Sequence, residues 1–219
     1  MQFFNLHTHH FTNDDEVLEL VNQYPKSFDE TIPCFSIGIH PWYIKKEDVE
    51  DELRIMEEKA QQQNCLAIGE CGLDKRIEIP MELQVQVFEK QLALAEKYKL
   101  PVVLHCVAAF QELIGIKKRL KPQVPMIIHG FSKNGQLARQ LLDNGFYISF
   151  GKYLIQNPEL EHIFKDVPSD RFFLETDTID DNIRMVYELA ARYKDLDTEE
   201  LKENVVQNFN IVFKNGRVD

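Results

Sequence analysis

The chain has 219 residues, 44% of them hydrophobic and 28% charged, and carries a net charge of −11. That composition fits one soluble globular domain over residues 1–219, and the chain shows no low-complexity tract, Gly/Ser linker or sequence repeat. No apolar run approaches the ~18 residues of a membrane span, and the negative charge opposes broad binding to duplex DNA, which needs clustered Lys and Arg. In chain order, a strand is predicted over residues 2–6, leading into His7, Thr8, His9 and His10. Side chains alternate along a strand, so His7 and His9 share a face and His10 points away with Thr8. Residues 16–23, EVLELVNQ, fit either a strand or a short helix. Strands follow over residues 34–39 and 65–69, then a helix over 81–99 that stops before Pro101. A strand over 101–104 and a helix over 108–120 come next, then a strand over 126–128 and a helix over 134–144 that ends at Gly145. Strands over 146–150 and 171–174 and helices over 181–194 and 198–213 close the chain, with DTEE as a capping signal for the last.

Strands alternating with helices predict a parallel sheet with helices outside it. Seven or eight such units in this length predict an α/β fold, a TIM-like (β/α) barrel with its functional site at the C-terminal strand ends. His7, His9, His40, Glu70, His105, His129 and Asp177 stand at those ends, five of the seven histidines among them. Each has an ordinary reading alone: a strand-end histidine is usually a hydrogen-bonded structural residue, Glu70 can pair with a lysine, and Asp177 can cap the next helix. Gathered on one rim they make a metal site. Imidazole and carboxylate ligands suit Zn, Mn, Fe, Co or Ni, and a carboxylate can bridge two cations about 3.5–4 Å apart. His7, His9, Glu70, His105, His129 and Asp177 suffice for one or two divalent ions and predict hydrolysis, with phosphate esters favoured.

Cys34, Cys65, Cys71 and Cys106 form no CxxC, and the first residues lack a basic n-region and an apolar h-region. Reduced thiols and a cytoplasmic location are expected. Lys45-Lys46 is followed at once by Glu47 and Asp48, so it reads as a solvated turn rather than a basic patch.

The segments NLHTHHF, IGIHPWY, AIGECGLDK, PVVLHC, IIHGFS, LLDNGFYISFG and FLETD stand in one order along the chain, up to the closing NVVQNFNIVF. In that order the sequence resembles the TatD-type metal-dependent deoxyribonucleases. HxH and ETD are weak signals; GIHPW, IGECGLD and HGFS with GFYIS in one register are specific. The resemblance implies a TIM-like barrel, one or two divalent ions (Zn, Mn, Mg, Ni, Co or Fe) and phosphodiester hydrolysis. It implies that His7, His9, Glu70 and Asp177 hold one ion, and that Glu70 reaches a second held by His105 and His129. Asp177 is then placed to take a proton from the attacking water. His40 faces a phosphate or is a loop histidine held by Pro41 and Trp42. Lys75, in place of a family tyrosine, is a candidate phosphate contact. Asp74 supports the site or forms a turn, and Glu175 orients ligands from below or belongs to a buried ion pair. Cys71 and Cys106 adjoin ligands at opposite strand parity and read as packing residues.

The departures concern substrate handling. Asn5 and Leu6 stand where the family has Asp and a small residue, which replaces an outer carboxylate with an amide. His10-Phe11 replaces Leu-Asp, and Val107 replaces a common arginine. A substrate-facing loop is missing after Asp177, where Thr178, Ile179 and Asp180 lead almost directly into DNIRMVYELAARY, and no helix is expected between the second and third strands. Three readings follow: a phosphodiesterase acting on nucleic acid, a barrel hydrolase of a small-molecule phosphoester or amide, and a metal-binding protein without nuclease activity. Oligomeric state and native metal stay open at this level.

Overall fold

A computed structural model describes residues 2–179 and 182–214. The strands are β1 (Phe3–Thr8), β2 (Val17–Gln23), β3 (Phe35–Ile37), β4 (Cys65–Asp74), β5 (Val102–Val107), β6 (Met126–Ile128), β7 (Tyr147–Phe150) and β8 (Phe172–Leu174). They form one eight-stranded sheet in chain order, β1 to β8, the arrangement of a TIM-like barrel. The helices are α1 (Val49–Lys59), α2 (Met81–Tyr98), α3 (Phe110–Leu120), α4 (Gly135–Asp143), α5 (Lys152–Gln156), α6 (Leu160–Asp166), α7 (Ile183–Lys194) and α8 (Thr198–Phe209). By backbone contacts the chain divides into two compact units, Met1–Leu20 with Ile127–Asp219, and Val21–Met126.

In the Val21–Met126 unit, β2, β3, β4 and β5 pair in parallel. The ambiguous residues 16–23 are therefore a strand, and only a 3-10 turn at Pro25–Ser27 separates β2 from β3, as the shortened sequence predicts. The strand predicted over 65–69 continues to Asp74. Glu70 thus lies within β4 rather than beyond its end. Gly72, Leu73 and Asp74 keep pairing with His105, Cys106 and Val107 after a register shift between Ile68 and Cys71. Glycine is what permits this. A Cβ on Gly72 would meet the His105 carbonyl oxygen at 2.1 Å, and Gly72 has φ +142°, open only to glycine. Helix α1 was absent from the predicted set, although it buries Val49 and Met56, two turns apart, on one face.

In the other unit, β6, β7 and β8 pair in parallel, and a parallel bridge joins Thr8 to Asp177. Aromatic residues fill its core. Phe4 packs edge-on against Phe173, Phe209 and Phe213, and Phe150, Phe164 and Phe172 form a second edge-to-face series. Burying each such ring contributes roughly 1.5–3 kcal/mol. Tyr187 is fully buried and its hydroxyl donates to the Phe4 carbonyl at 2.9 Å, which ties α7 to β1. Capping follows the sequence signals: Asn134 accepts from the Leu137 N–H, and Asp197 from the Glu200 N–H. The predicted helix start at Asp181, like Asp180 before it, lies outside the described residues. Helices α5 and α6 were also not predicted; each is short. No helix among the described residues is long and apolar enough to cross a membrane.

Candidate metal centre

In the unit built on β1, β6, β7 and β8, the chain ends of β1 and β8 are clasped through their backbones. The Asp177 N–H donates to the His7 carbonyl at 2.9 Å, and the His9 N–H donates to the Asp177 carbonyl at 3.0 Å. Asp177 adopts φ +56°, a left-handed conformation that Asp tolerates better than most residues. This clasp sets the Asp177 carboxylate beside both histidines of the HxH pair. Its Oδ1 lies 3.8 Å from His7 Nε2 and 3.6 Å from His9 Nε2. From β6, His129 brings its ring centroid to 4.4 Å from that of His7. One ligand atom each from His7, His129 and Asp177 falls within 4.8 Å of the others.

Two residues support this cluster. Glu175 is buried; its Oε1 accepts the Gly130 N–H at 2.8 Å and lies 3.5 Å from His129 Nδ1, so it fixes the turn that carries His129. Gly151 allows that carboxylate its place, because a Cβ there would meet the Glu175 carbonyl at 2.4 Å. Asn5 makes a reciprocal pair with Thr176. Its Nδ2 donates to Thr176 Oγ1 at 2.9 Å, and its Oδ1 accepts the Thr176 N–H at 3.1 Å. The amide that stands in place of an outer carboxylate thus holds the backbone next to Asp177. Lys152, the first residue of α5, places Nζ 2.5 Å from Asp177 Oδ2 and 3.3 Å from Thr178 Oγ1. Burial pushes the Asp177 carboxyl up, but His129, His7 and Lys152 outweigh it and hold the carboxyl below the usual range.

The Val21–Met126 unit gathers a second set. Glu70 Oε1 lies 2.9 Å from His105 Nδ1 and 3.2 Å from His40 Nε2, and ligand atoms of all three fall within 4.8 Å of one another. Asp74 Oδ2 faces His105 Nε2 at 3.4 Å and accepts the Trp42 indole N–H at 2.7 Å. Burial raises the Asp74 carboxyl, and N–H donors from Trp42 and Arg76 lower it by more, so it sits below the usual range. A carboxylate behind a ligand histidine is the arrangement that orients the ring. His40 lies in the loop after β3, where it caps the 3-10 turn Pro41–Tyr43; it is nevertheless buried, 4% exposed, and its Nε2 points at Glu70. Its Nδ1 accepts the Trp42 backbone N–H at 3.1 Å. An imidazole whose Nδ1 accepts carries its proton on Nε2, so His40 donates toward Glu70 in this arrangement.

The backbone beneath this set is held by side chains that sequence reasoning missed. Asn22 Oδ1 accepts the Glu70 N–H at 2.7 Å. Gln84 accepts the Asp74 N–H at 2.8 Å and donates to the Asp74 carbonyl at 3.0 Å; Gln91 does the same for Ile39 at 2.7 and 3.1 Å. Both glutamines are 1% exposed and lie two turns apart on α2. Their phase was the available signal, since Gln84 and Gln91 fall on the stripe of Val87 and Phe88. Lys75 lies apart, its ammonium 2.6 Å from Glu112 Oε1. All four cysteines are buried, and burial pushes the Cys71 thiol well up and Cys34 up to about 12, so neither is a ready nucleophile.

Imidazole nitrogen and carboxylate oxygen in both sets fit one or two divalent transition ions. Residues 1–214 match the family model described as TatD related DNase. The chain belongs to the TatD-related DNase family. The metal-dependent hydrolase YabD of Bacillus subtilis, itself uncharacterised, is 28% identical over 197 residues, 82% of this chain and 76% of that protein. The 3'-5' ssDNA/RNA exonuclease TatD of Erwinia tasmaniensis is 33% identical over 170 residues, 74% of this chain and 62% of that protein. Among solved structures, the TatD homologue YjjV of Escherichia coli superposes with a TM-score of 0.83 at 21% identity over 97% of this chain and 98% of that one. This TatD-family chain is thus matched in fold over nearly its whole length.

Proposed function

We propose that the protein is a divalent-metal-dependent hydrolase that cleaves phosphodiesters, with a DNA or RNA strand as substrate, and that residues 1–219 act as one hydrolase domain. The observation that carries this reading is the gathering of His7, His129 and Asp177, and of Glu70 and His105, with ligand atoms within 4.8 Å inside each set. His9, 3.6 Å from Asp177, completes the first set. A divalent ion held by such residues polarises a phosphoryl oxygen and lowers the pKa of water toward ~7. Asp177, its carboxyl held below the usual range, is ionised at neutral pH and accepts the proton of the attacking water. Glu70 is assigned as a ligand shared with His105. His40 offers its Nε2–H to a phosphate oxygen, and Lys152 offers a positive charge beside Asp177. Lys75 is the weaker phosphate contact because Glu112 engages it. Asp74 orients His105, and Glu175 fixes the position of His129. A cytoplasmic location accompanies this reading, supported by four buried thiols.

The test is cleavage of single-stranded DNA and RNA by protein loaded with Mn, Mg, Zn or Ni, alongside Asp177→Asn of unchanged circular dichroism. Metal-dependent cleavage that the variant loses supports the proposal. Val107 in the arginine position and the net charge of −11 favour a second reading, hydrolysis of a small phosphoester or amide. Activity on those substrates with intact nucleic acid would replace the first reading with the second. Metal uptake without turnover on any substrate would remove both.

A further inference from the structure

Beside His40, which forms part of its lining, the Val21–Met126 unit bounds an open cavity of about 410 Å³. Its size lies within the range of small-molecule sites, roughly 300–1,000 Å³. Three aromatic residues line it: Tyr24, Trp42 and Tyr43. Trp42 and Tyr43 are 53% and 55% exposed, in a protein whose other aromatic side chains are mostly buried. Tyr24 and Tyr43 meet edge-to-face with centroids 5.3 Å apart, and Tyr43 also stands 5.5 Å from the His40 ring. Such faces are stacking platforms, and stacking of a base on an aromatic ring contributes the equivalent of about ten-fold or more in affinity.

Glu52 lines the same cavity. The residue is only 7% exposed, and its Oε2 has no hydrogen-bond partner among the described residues. A buried carboxylate oxygen without a donor is costly, and its terminal torsion is broad, so the carboxylate can turn to meet a donor brought by a ligand. Burial raises the Glu52 carboxyl, while Lys26 and Lys45 pull it down. Those two lysines also line the cavity and are exposed. Lys45, which the sequence alone places on a solvated turn, thus borders an aromatic pocket. Lys26 is engaged by Asp48 at 2.5 Å. Asp48 also lines the cavity, so Lys45 is the lining cation left to meet a phosphate carried by the ligand.

We propose that this cavity is a nucleobase subsite that stacks one base of the substrate among Tyr24, Trp42 and Tyr43 and reads its amino group through Glu52. It extends the nuclease reading by naming the part of the substrate bound beside His40. A carboxylate accepts from the N4 amino group of cytosine or the N6 amino group of adenine, whereas the O4 of uracil or thymine meets it with a lone pair. The subsite therefore prefers amino-bearing bases.

Trp42 is the chain's single tryptophan, so its emission reports on the cavity directly. The experiment titrates the intact protein with cytidine and with uridine, which differ at this edge. Saturable quenching by cytidine is expected, with uridine about ten-fold weaker or more. Glu52→Gln should erase that difference, because an amide both donates and accepts, and Tyr43→Leu should weaken both nucleosides about ten-fold. Equal quenching by the two nucleosides would overturn the proposal, as would a Glu52-dependent response to tetramethylammonium with none to cytidine. Hydrolysis of bis(4-nitrophenyl) phosphate, which has no base, is measured on the same wild-type protein. Hydrolysis without nucleoside binding removes the subsite and leaves the proposed function. Glu52-dependent cytidine binding without hydrolysis does the reverse.

Discussion

Lys152 is engaged with the residue assigned to accept the proton, and its replacement by Met separates two opposed effects. Its ammonium lies 2.5 Å from Asp177 Oδ2, with the two side chains 21% and 11% exposed. Removing one partner of a buried ion pair costs about 3–5 kcal/mol, whereas an exposed pair contributes ~0–1 kcal/mol. Partial exposure of Lys152 places Lys152→Met between those limits, at about 2 kcal/mol. For a chain of this size that lowers the melting temperature by roughly 4–8 °C in EDTA. Met keeps most of the apolar stem, so the loss is mainly electrostatic. Lys152 holds Asp177 Oδ2 while the histidines face Oδ1, so a divalent ion on Oδ1 would approach the same ammonium. Removing the lysine relieves that repulsion, and metal affinity should rise about ten-fold. The assay is thermal melting in EDTA and across a Mn or Zn titration, with calorimetric titration of metal into the metal-free protein. The variant should start lower and gain more from metal than the wild type. An unchanged melting point in EDTA with unchanged metal affinity would refute this account of Lys152.

Asn5→Ala removes both bonds to Thr176 and leaves a buried N–H without an acceptor, so a loss of about 2–3 kcal/mol is expected in urea unfolding. Gly72→Ala places a Cβ 2.1 Å from the His105 carbonyl at φ +142°; it should cost more than about 3 kcal/mol and reduce bound metal, read by melting and elemental analysis. Trp42→Phe keeps an aromatic ring but withdraws the 2.7 Å indole donor from the buried Asp74 carboxylate; kcat should fall about ten-fold and the melting temperature should drop by a few degrees, read by steady-state kinetics and thermal melting.

The strand and helix alternation was legible because apolar runs and caps are local. Five helices were expected, and all five form with ends within a few residues, subject to the undescribed residues 180–181. What local pattern could not give is where a strand stops. Strand β4 is predicted from sequence to end at Gly69, whereas it continues to Asp74. Its last residues persist because β5 offers partners for Gly72, Leu73 and Asp74. Tertiary pairing overrides propensity here, as is common for strands. Helix α1 escaped for the opposite reason: its apolar side chains are few among many charges, and only burial of Val49, Glu52 and Met56 reveals a packed face.

The candidate ligands were legible because each is an imidazole or carboxylate in or just beyond a strand, and such residues announce themselves one at a time. Their supports do not. Asn22, Gln84 and Gln91 are ordinary amides in sequence, and only hydrogen bonds to the Glu70, Asp74 and Ile39 backbones show that they hold strand ends in place. Lys152 follows a glycine at the start of a short helix, and nothing in SFGKYL distinguishes it from a surface lysine until β7 and β8 bring it to Asp177. Glu52 is subtler still. As one of three acids in the first turn of α1, it reads as a favourable partner for the helix dipole. Among the three, burial singles out Glu52, on the helix that packs against the turn at Pro25–Ser27. Proton-accepting and metal-binding groups must be of a few residue types, so sequence exposes them. Substrate-reading groups are chosen by place rather than type, and the three-dimensional arrangement is where they become distinct from the residues around them.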